Sequence, residues 1–115
     1  MKSKITDKNA VNMMAALAQE TRLKLFRLLI QQSPDGLMAG EIARRLGVPN
    51  STLSYHLTAL EQADLICSAK AQRAIYYTAN MARLDGFLGY LIEDCCHGAD
   101  NKCFTFMTRN KDITP

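Results

Sequence analysis

Three of the chain's four cysteines, Cys95, Cys96 and Cys103, lie within the stretch EDCCHGADNKC near the C-terminus. Thiolates are soft ligands and nucleophiles, so a cluster of them suits a thiophilic ion or a thiol–disulfide switch. No secretory signal is expected, because residues 1–19 mix charges with a run, AVNMMAALAQ, that Asn12 interrupts. No stretch approaches the roughly 18 apolar residues of a membrane helix. The expected location is therefore the cytoplasm, where thiols stay reduced, and the cysteines read as ligands, sensors or core filler before they read as disulfides. A zinc site made from them and His97 is chemically reasonable, but three consecutive ligands would strain a tetrahedron. A reversible disulfide or persulfide is a further use, disfavoured where the negative end of a helix dipole opposes the thiolate. Alternatively Cys95 simply extends an apolar stripe as a small hydrophobe. Cys67 sits among apolar neighbours in a predicted strand and is assigned to packing.

The elements that must hold these thiols form one domain, since 115 residues leave too few for a second core. Hydrophobic residues make up 48% of the chain, enough for a modest core, and the net charge of +3 leans only mildly toward polyanions. Ala10, Val11, Met14, Leu17 and Ala18 recur at helical spacing over residues 7–18, with Thr6 or Asp7 as the N-cap. ETRLKLFRLLIQQ predicts a second helix with Leu25, Leu28 and Leu29 on one side, ended by the turn formers Ser33, Pro34, Asp35 and Gly36. MAGEIARRLG predicts a short third helix with Ile42, Ala43 and Leu46 inward and Gly47 as its C-terminal cap. Asn50 or Ser51 caps a fourth through STLSYHLTALEQA. Two short helices joined by a tight glycine-containing turn form a helix-turn-helix. LICSA and AIYYTA, separated by Lys70, Ala71, Gln72 and Arg73, read as a hairpin. Last comes NMARLDGFLGYLIEDCCHG, a fifth helix with Leu84, Leu88, Leu91, Ile92 and Cys95 on one side, closed by Gly98. The expected fold is mainly α with a small β-hairpin, a winged helix-turn-helix in the order α-α-α-α-β-β-α.

At 100° per residue, setting Leu53 inward puts Leu57, Leu60 and Asp64 on the same side. Ser51, Tyr55, Thr58 and Gln62 then face outward, with Ser54 on the flank. This short, polar, nearly uncharged face suits hydrogen bonding to base edges and phosphates in a major groove. Arg44 and Arg45 on the preceding helix, and Lys70 and Arg73 at the hairpin tip, suit phosphate contacts. His56 borders the buried side and reads either as a core-edge histidine or as a further phosphate contact. The first and last helices both carry apolar stripes. Pairing them across a two-fold axis would bury both and set two recognition helices on successive major grooves, so a homodimer on double-stranded operator DNA is expected.

These segments together resemble the ArsR/SmtB family of metal-sensing winged-helix repressors from about Met14 to Cys103. ALAQETRLKLFRLL is similar to the family's second helix, GEIARRLGVPNSTLSYHLTALEQADLI to its helix-turn-helix with Ser54, His56 and Leu57 in the Ser-x-His-Leu element, and AIYYTA to its wing strand. The chain lacks the Cys-x-Cys pair that some members carry on the first helix of the helix-turn-helix, and its last helix offers only His97 to a zinc or nickel site. The wing also lacks a glycine at its tip. Cys95, Cys96 and Cys103 resemble the arrangement of a subset with a Cys-Cys pair at the end of the last helix and a third cysteine beyond it. That resemblance implies a site at about residues 93–103 for arsenite, As(III), or antimonite, Sb(III), as inducer. Three thiolates would satisfy a pyramidal trivalent centre. Neighbouring cysteines diverge by about 100° on a helix. They would converge if the helix frayed at Gly98, and ADNK is long enough to return Cys103 to them. The implied function is an arsenite-responsive repressor released from its operator by the metalloid, with a zinc-responsive or thiol-redox-responsive repressor as the alternative. An enzyme is not expected, since neither His56 nor His97 sits in a recognisable catalytic arrangement.

Overall fold

The computed structural model describes residues 5–95, so Cys96, His97, Gly98 and Cys103 lie outside the described residues. The elements run α1 (Asp7–Leu17), α2 (Glu20–Gln31), β1 (Leu37–Met38), α3 (Ala39–Leu46), α4 (Asn50–Gln62), β2 (Ile66–Ala71), β3 (Ala74–Ala79) and α5 (Met81–Leu91). The three strands form one antiparallel sheet in the order β1-β3-β2. Met13, Leu25, Leu29, Ile42, Leu53, Leu60 and Leu65 are its most deeply buried side chains, so four helices and the base of the hairpin share one core.

Thr6 caps α1 in a reciprocal box: the Asn9 amide donates to Thr6 Oγ1 at 3.1 Å and the Thr6 amide donates to Asn9 Oδ1 at 3.2 Å. The buried ridge of α1 is Ala10, Met13 and Ala16, whereas Val11 and Met14 of the expected stripe stay exposed. The stripe's outer edge thus has no cover from the other described residues. α2 starts with the Gln19 side chain accepting from the Arg22 amide at 2.9 Å and buries Leu25, Phe26 and Leu29.

β1 was not expected. It pairs Leu37 with Tyr77 and Met38 with Tyr76, and two residues are too few to show alternation in sequence. Gly36 leads into it at φ +79°, buried so tightly that an added Cβ would meet Tyr77 O at 2.5 Å. Gly47 ends α3 in the left-handed conformation, as expected, with its amide donating to Ala43 O at 2.8 Å.

Asn50 is already the first residue of α4, and Pro49 holds the N-cap position without a side-chain cap, which corrects the Asn50 or Ser51 assignment. Proline is suited to this entry because no amide is needed there. At the other end Asp64 takes φ +65° and the Leu65 amide returns to Leu60 O at 3.0 Å. The helix is therefore over before Asp64, which is exposed rather than inward, and Ala63 and Leu65 fill the core instead.

β2 and β3 pair from Ile66–Ala79 through Ala71–Ala74, leaving a two-residue turn of Gln72 (φ +50°) and Arg73 (φ +73°). Two successive left-handed residues match the twist of the flanking strands, and the turn forms without the glycine usually found there. Of β2 only Ile66 is buried, because the wing projects past the core. Cys67, opposite Thr78, is exposed, which corrects its assignment to packing.

Asn80 joins the wing to α5. Its amide donates to Leu65 O at 2.8 Å, its side-chain amide to Asp64 O at 3.0 Å, and its Oδ1 accepts from the Arg83 amide at 3.1 Å. α5 ends at Leu91, with Ile92 as its C-cap and Asp94 at φ +60°. The expected helix is thus too long over its described part, and a left-handed residue, Asp94, already follows its end, while Gly98 lies outside the described residues.

Candidate nucleic-acid interface

Leu53, Leu57 and Leu60 seat α4 against the core, and this fixes what the helix shows to solvent. Ser51, Ser54, Tyr55, Thr58 and Gln62 are all exposed, with Tyr55 at 67%, so the structure places together the outward face read from the periodicity. Its hydroxyls and carboxamide both donate and accept, and the tyrosine ring offers an apolar edge. Such a face matches the mixed pattern of donors, acceptors and thymine methyls in a major groove.

His56 is corrected. Its side chain is buried at 5% exposure and Nδ1 lies 3.2 Å from Arg22 Nη1, so it is a core-edge histidine held by a side chain of α2 and not an outward phosphate ligand. Burial, and then the Arg22 charge, lower its pKa from the ordinary value and favour the neutral ring. An arginine can only donate, so Nδ1 is the acceptor and the ring proton is assigned to Nε2. Nothing in the local periodicity singled out Arg22, which reads in sequence only as one of the basic residues of the second helix.

Arg44 and Arg45 are positioned beside α4, but each is bound to Glu41. Arg44 Nε donates to Oε1 at 3.1 Å and its Nη2 donates to Oε2, while Arg45 Nε donates to Oε2 at 2.6 Å. These hydrogen bonds, first that from Arg44 and then that from Arg45, lower the Glu41 pKa to about 2. Glu41 is therefore ionised at neutral pH and cancels one of the two positive charges. The cluster presents the guanidinium edges to solvent with a net charge of one rather than two. Lys70 and Arg73 are exposed on the wing, Arg73 at its tip.

Of the expected thiol ligands, Cys95 alone falls within the described residues, half-buried one turn past α5, with its amide donating to Ile92 O at 2.9 Å. Cys96 and Cys103 lie outside them. Among the described residues no three His, Cys, Asp or Glu side chains group to hold a metal, and no helix is long and apolar enough to cross a membrane.

Residues 17–67 match a family model described as a helix-turn-helix domain. The chain is 33% identical over 76 residues to YceK of Bacillus subtilis, an HTH-type transcriptional regulator, covering 66% of this chain and 72% of YceK. It is 28% identical over 81 residues to the transcriptional repressor SdpR of the same organism, covering 70% of this chain and 87% of SdpR. Against the HTH-type regulator MJ1398 of Methanocaldococcus jannaschii identity is 38%, but the match spans only 19% of that longer protein. Among solved structures, an ArsR-like transcriptional regulator from Rhodococcus sp. RHA1 superposes with a TM-score of 0.68 at 27% identity, over 93% of both chains. These relatives are named as transcriptional regulators, not as enzymes.

Proposed function

This chain belongs to the HTH-type transcriptional regulators, with the winged-helix fold of ArsR-like proteins, and from that membership we propose that it is a homodimeric repressor that arsenite or antimonite releases from operator DNA. The observation that carries the DNA-binding part is the outward face of α4, where Ser51, Ser54, Tyr55, Thr58 and Gln62 stand clear of a helix anchored by three buried leucines. In this reading the face enters the major groove, and Arg44, Arg45, Lys70 and Arg73 contact phosphates around it.

The inducer part rests on the three thiols. The end of α5 at Leu91 supports it, because the α-helical ladder stops four residues before Cys95, whose amide instead makes a tighter turn bond to Ile92 O. Cys95, Cys96 and Cys103 supply the three thiolates of As(III), and binding displaces their protons, so affinity rises with pH. Ligand and DNA occupy different sites, and a coupling of about 1–3 kcal/mol would lower operator affinity roughly 5- to 150-fold.

Fluorescence anisotropy of the reduced protein on DNA from upstream of its own gene, titrated in parallel with arsenite, zinc and a mild oxidant, tests the proposal. Release by arsenite, lost in Cys96→Ser while that variant still binds DNA, is the expected result. No binding to that DNA would remove the repressor reading, and release by zinc alone would move the thiols to zinc. The exposure of Cys67 on the wing favours a second reading, a thiol-redox repressor, for which release by oxidant alone is the signature.

A further inference from the structure

The Arg22 guanidinium, carried by α2, contacts two other helices, α1 and α4, at once. Its Nε donates to Ala16 O at 2.6 Å, at the C-terminal turn of α1, where carbonyls lack helical partners. Its Nη1 reaches Nδ1 of the buried His56 at 3.2 Å, and its central carbon lies 5.9 Å from the Tyr55 ring centroid. The Tyr55 and His56 rings meet edge to face, with centroids 5.3 Å apart. Arg22 itself belongs to the first turn of α2.

We propose that Arg22 is a positioning residue that sets the pose of the reading face on α4 from the end of α1. This rests on the DNA-binding reading above and extends it to a residue that need not touch DNA. An exposed tyrosine on a helix surface ordinarily exchanges between rotamers and loses that freedom on binding. A guanidinium beside the ring narrows its choice beforehand, through the cation–π attraction, and so lowers the ordering cost of binding. Through His56 the same group fixes the rotation of α4 about its axis. Through Ala16 it ties both to α1, one of the two helices assigned to the dimer contact. Any shift of α1 is thereby carried to Tyr55 by a single side chain.

The geometry is specific to arginine. One planar fork donates along Nε and Nη1 in different directions and presents its flat face or edge to a ring, whereas a lysine ammonium on a flexible stem cannot hold the three contacts together. The arrangement also requires a neutral imidazole. Among the described contacts, Arg22 of α2 and Tyr55 of its own helix are the ionisable groups that face the ring, and an imidazolium there would repel the guanidinium that Nδ1 now accepts from.

The rival role for Arg22 is a direct phosphate contact, and the salt dependence of binding separates the two. The wild type, Arg22→Lys and Arg22→Gln would be titrated onto operator DNA at several salt concentrations. A positioning role predicts that Arg22→Lys, which keeps the charge, binds roughly tenfold more weakly with an unchanged slope of log K against log salt. Wild-type affinity in Arg22→Lys, or a slope smaller by about one in Arg22→Gln, would overturn it in favour of a phosphate contact. Nitrogen NMR of His56 in the unsubstituted protein provides an arm that needs neither DNA nor a folded variant. The Nε2–H tautomer supports the clamp, and a proton on Nδ1 overturns it. If the wild type binds no operator DNA, the repressor reading falls, and the His56 tautomer alone decides whether the clamp exists.

Discussion

At the scale of single residues, His56 is the place where burial and charge bear on the same ring. Desolvation first, and then the Arg22 charge, hold its pKa below the ordinary value of about 6.5. The unfolded chain therefore takes up a proton at a higher pH than the folded one does. The stability that His56 leaves intact above about pH 6.5 is lost as pH falls from there through the folded value. The thermal midpoint should be level between about pH 8 and 7 and decline below pH 6.5, and in His56→Gln that part of the decline should flatten. An equal decline in both would assign the acid sensitivity to other groups. The outward residues Ser51, Tyr55 and Thr58 were legible in sequence because helical periodicity is local and three leucines mark the opposite side. The partner of His56 was not, since Arg22 lies 34 residues away in the chain and only the packing of α2 on α4 brings them together. Glu41 is a different case: Arg44 and Arg45 read in sequence as a basic patch, and only the helical geometry shows the carboxylate one turn before them bonded to both.

Among the elements, the hairpin and β1 show what a short strand depends on. The wing's existence follows from its β-branched and aromatic residues, but its length does not, because pairing runs on to Ala71 and Ala74 across residues with no strand preference. β1 has only two residues and exists because Gly36 lets the chain pass close against β3. A methyl group at Gly36 would sit 2.5 Å from Tyr77 O and 2.6 Å from Thr78 Cγ2, on a backbone at φ +79° that side chains disfavour. Overpacking typically costs about 1–3 kcal/mol, and a left-handed conformation about 1–2 kcal/mol more. Gly36→Ala should therefore destabilise by roughly 2–5 kcal/mol, read as a lower midpoint in urea with circular dichroism at the wing compared in parallel. An unfolding free energy within about 0.5 kcal/mol of wild type, the ordinary scatter of surface changes, would show that β1 is dispensable. Helix ends were the least legible feature. Asp64 and Asp94 both adopt left-handed conformations that composition alone would sooner give to glycine, and each ends its helix earlier than the apolar spacing suggests.

For the whole molecule the decisive feature is apolar surface that the described residues leave exposed. Val11 and Met14 on α1 are 59% and 45% exposed, and Met81 and Leu91 on α5 are 42% and 52% exposed. Scattered singly, such residues would need no explanation. Here they occur on the first and last helices, which the repressor reading pairs across a two-fold axis. A standard protein interface buries roughly 800 Å² per partner, an area that two paired helices can supply. In that reading the dimer would also raise the affinity of the recognition face, since two linked half-sites raise the effective concentration of the second contact far above that of a free domain. Placing a carboxylate at the two exposed large apolar positions of α1, as Val11→Glu with Met14→Glu, leaves the buried ridge of Ala10, Met13 and Ala16 untouched and makes the paired surface self-repelling. Sedimentation equilibrium should then show a monomer with native circular dichroism. Operator binding should weaken by roughly 100-fold, within the range by which avidity exceeds single-site affinity. A variant that remains dimeric would place the contact elsewhere on the surface, and a monomer that binds the full operator as tightly as the wild type would mean that one recognition helix suffices.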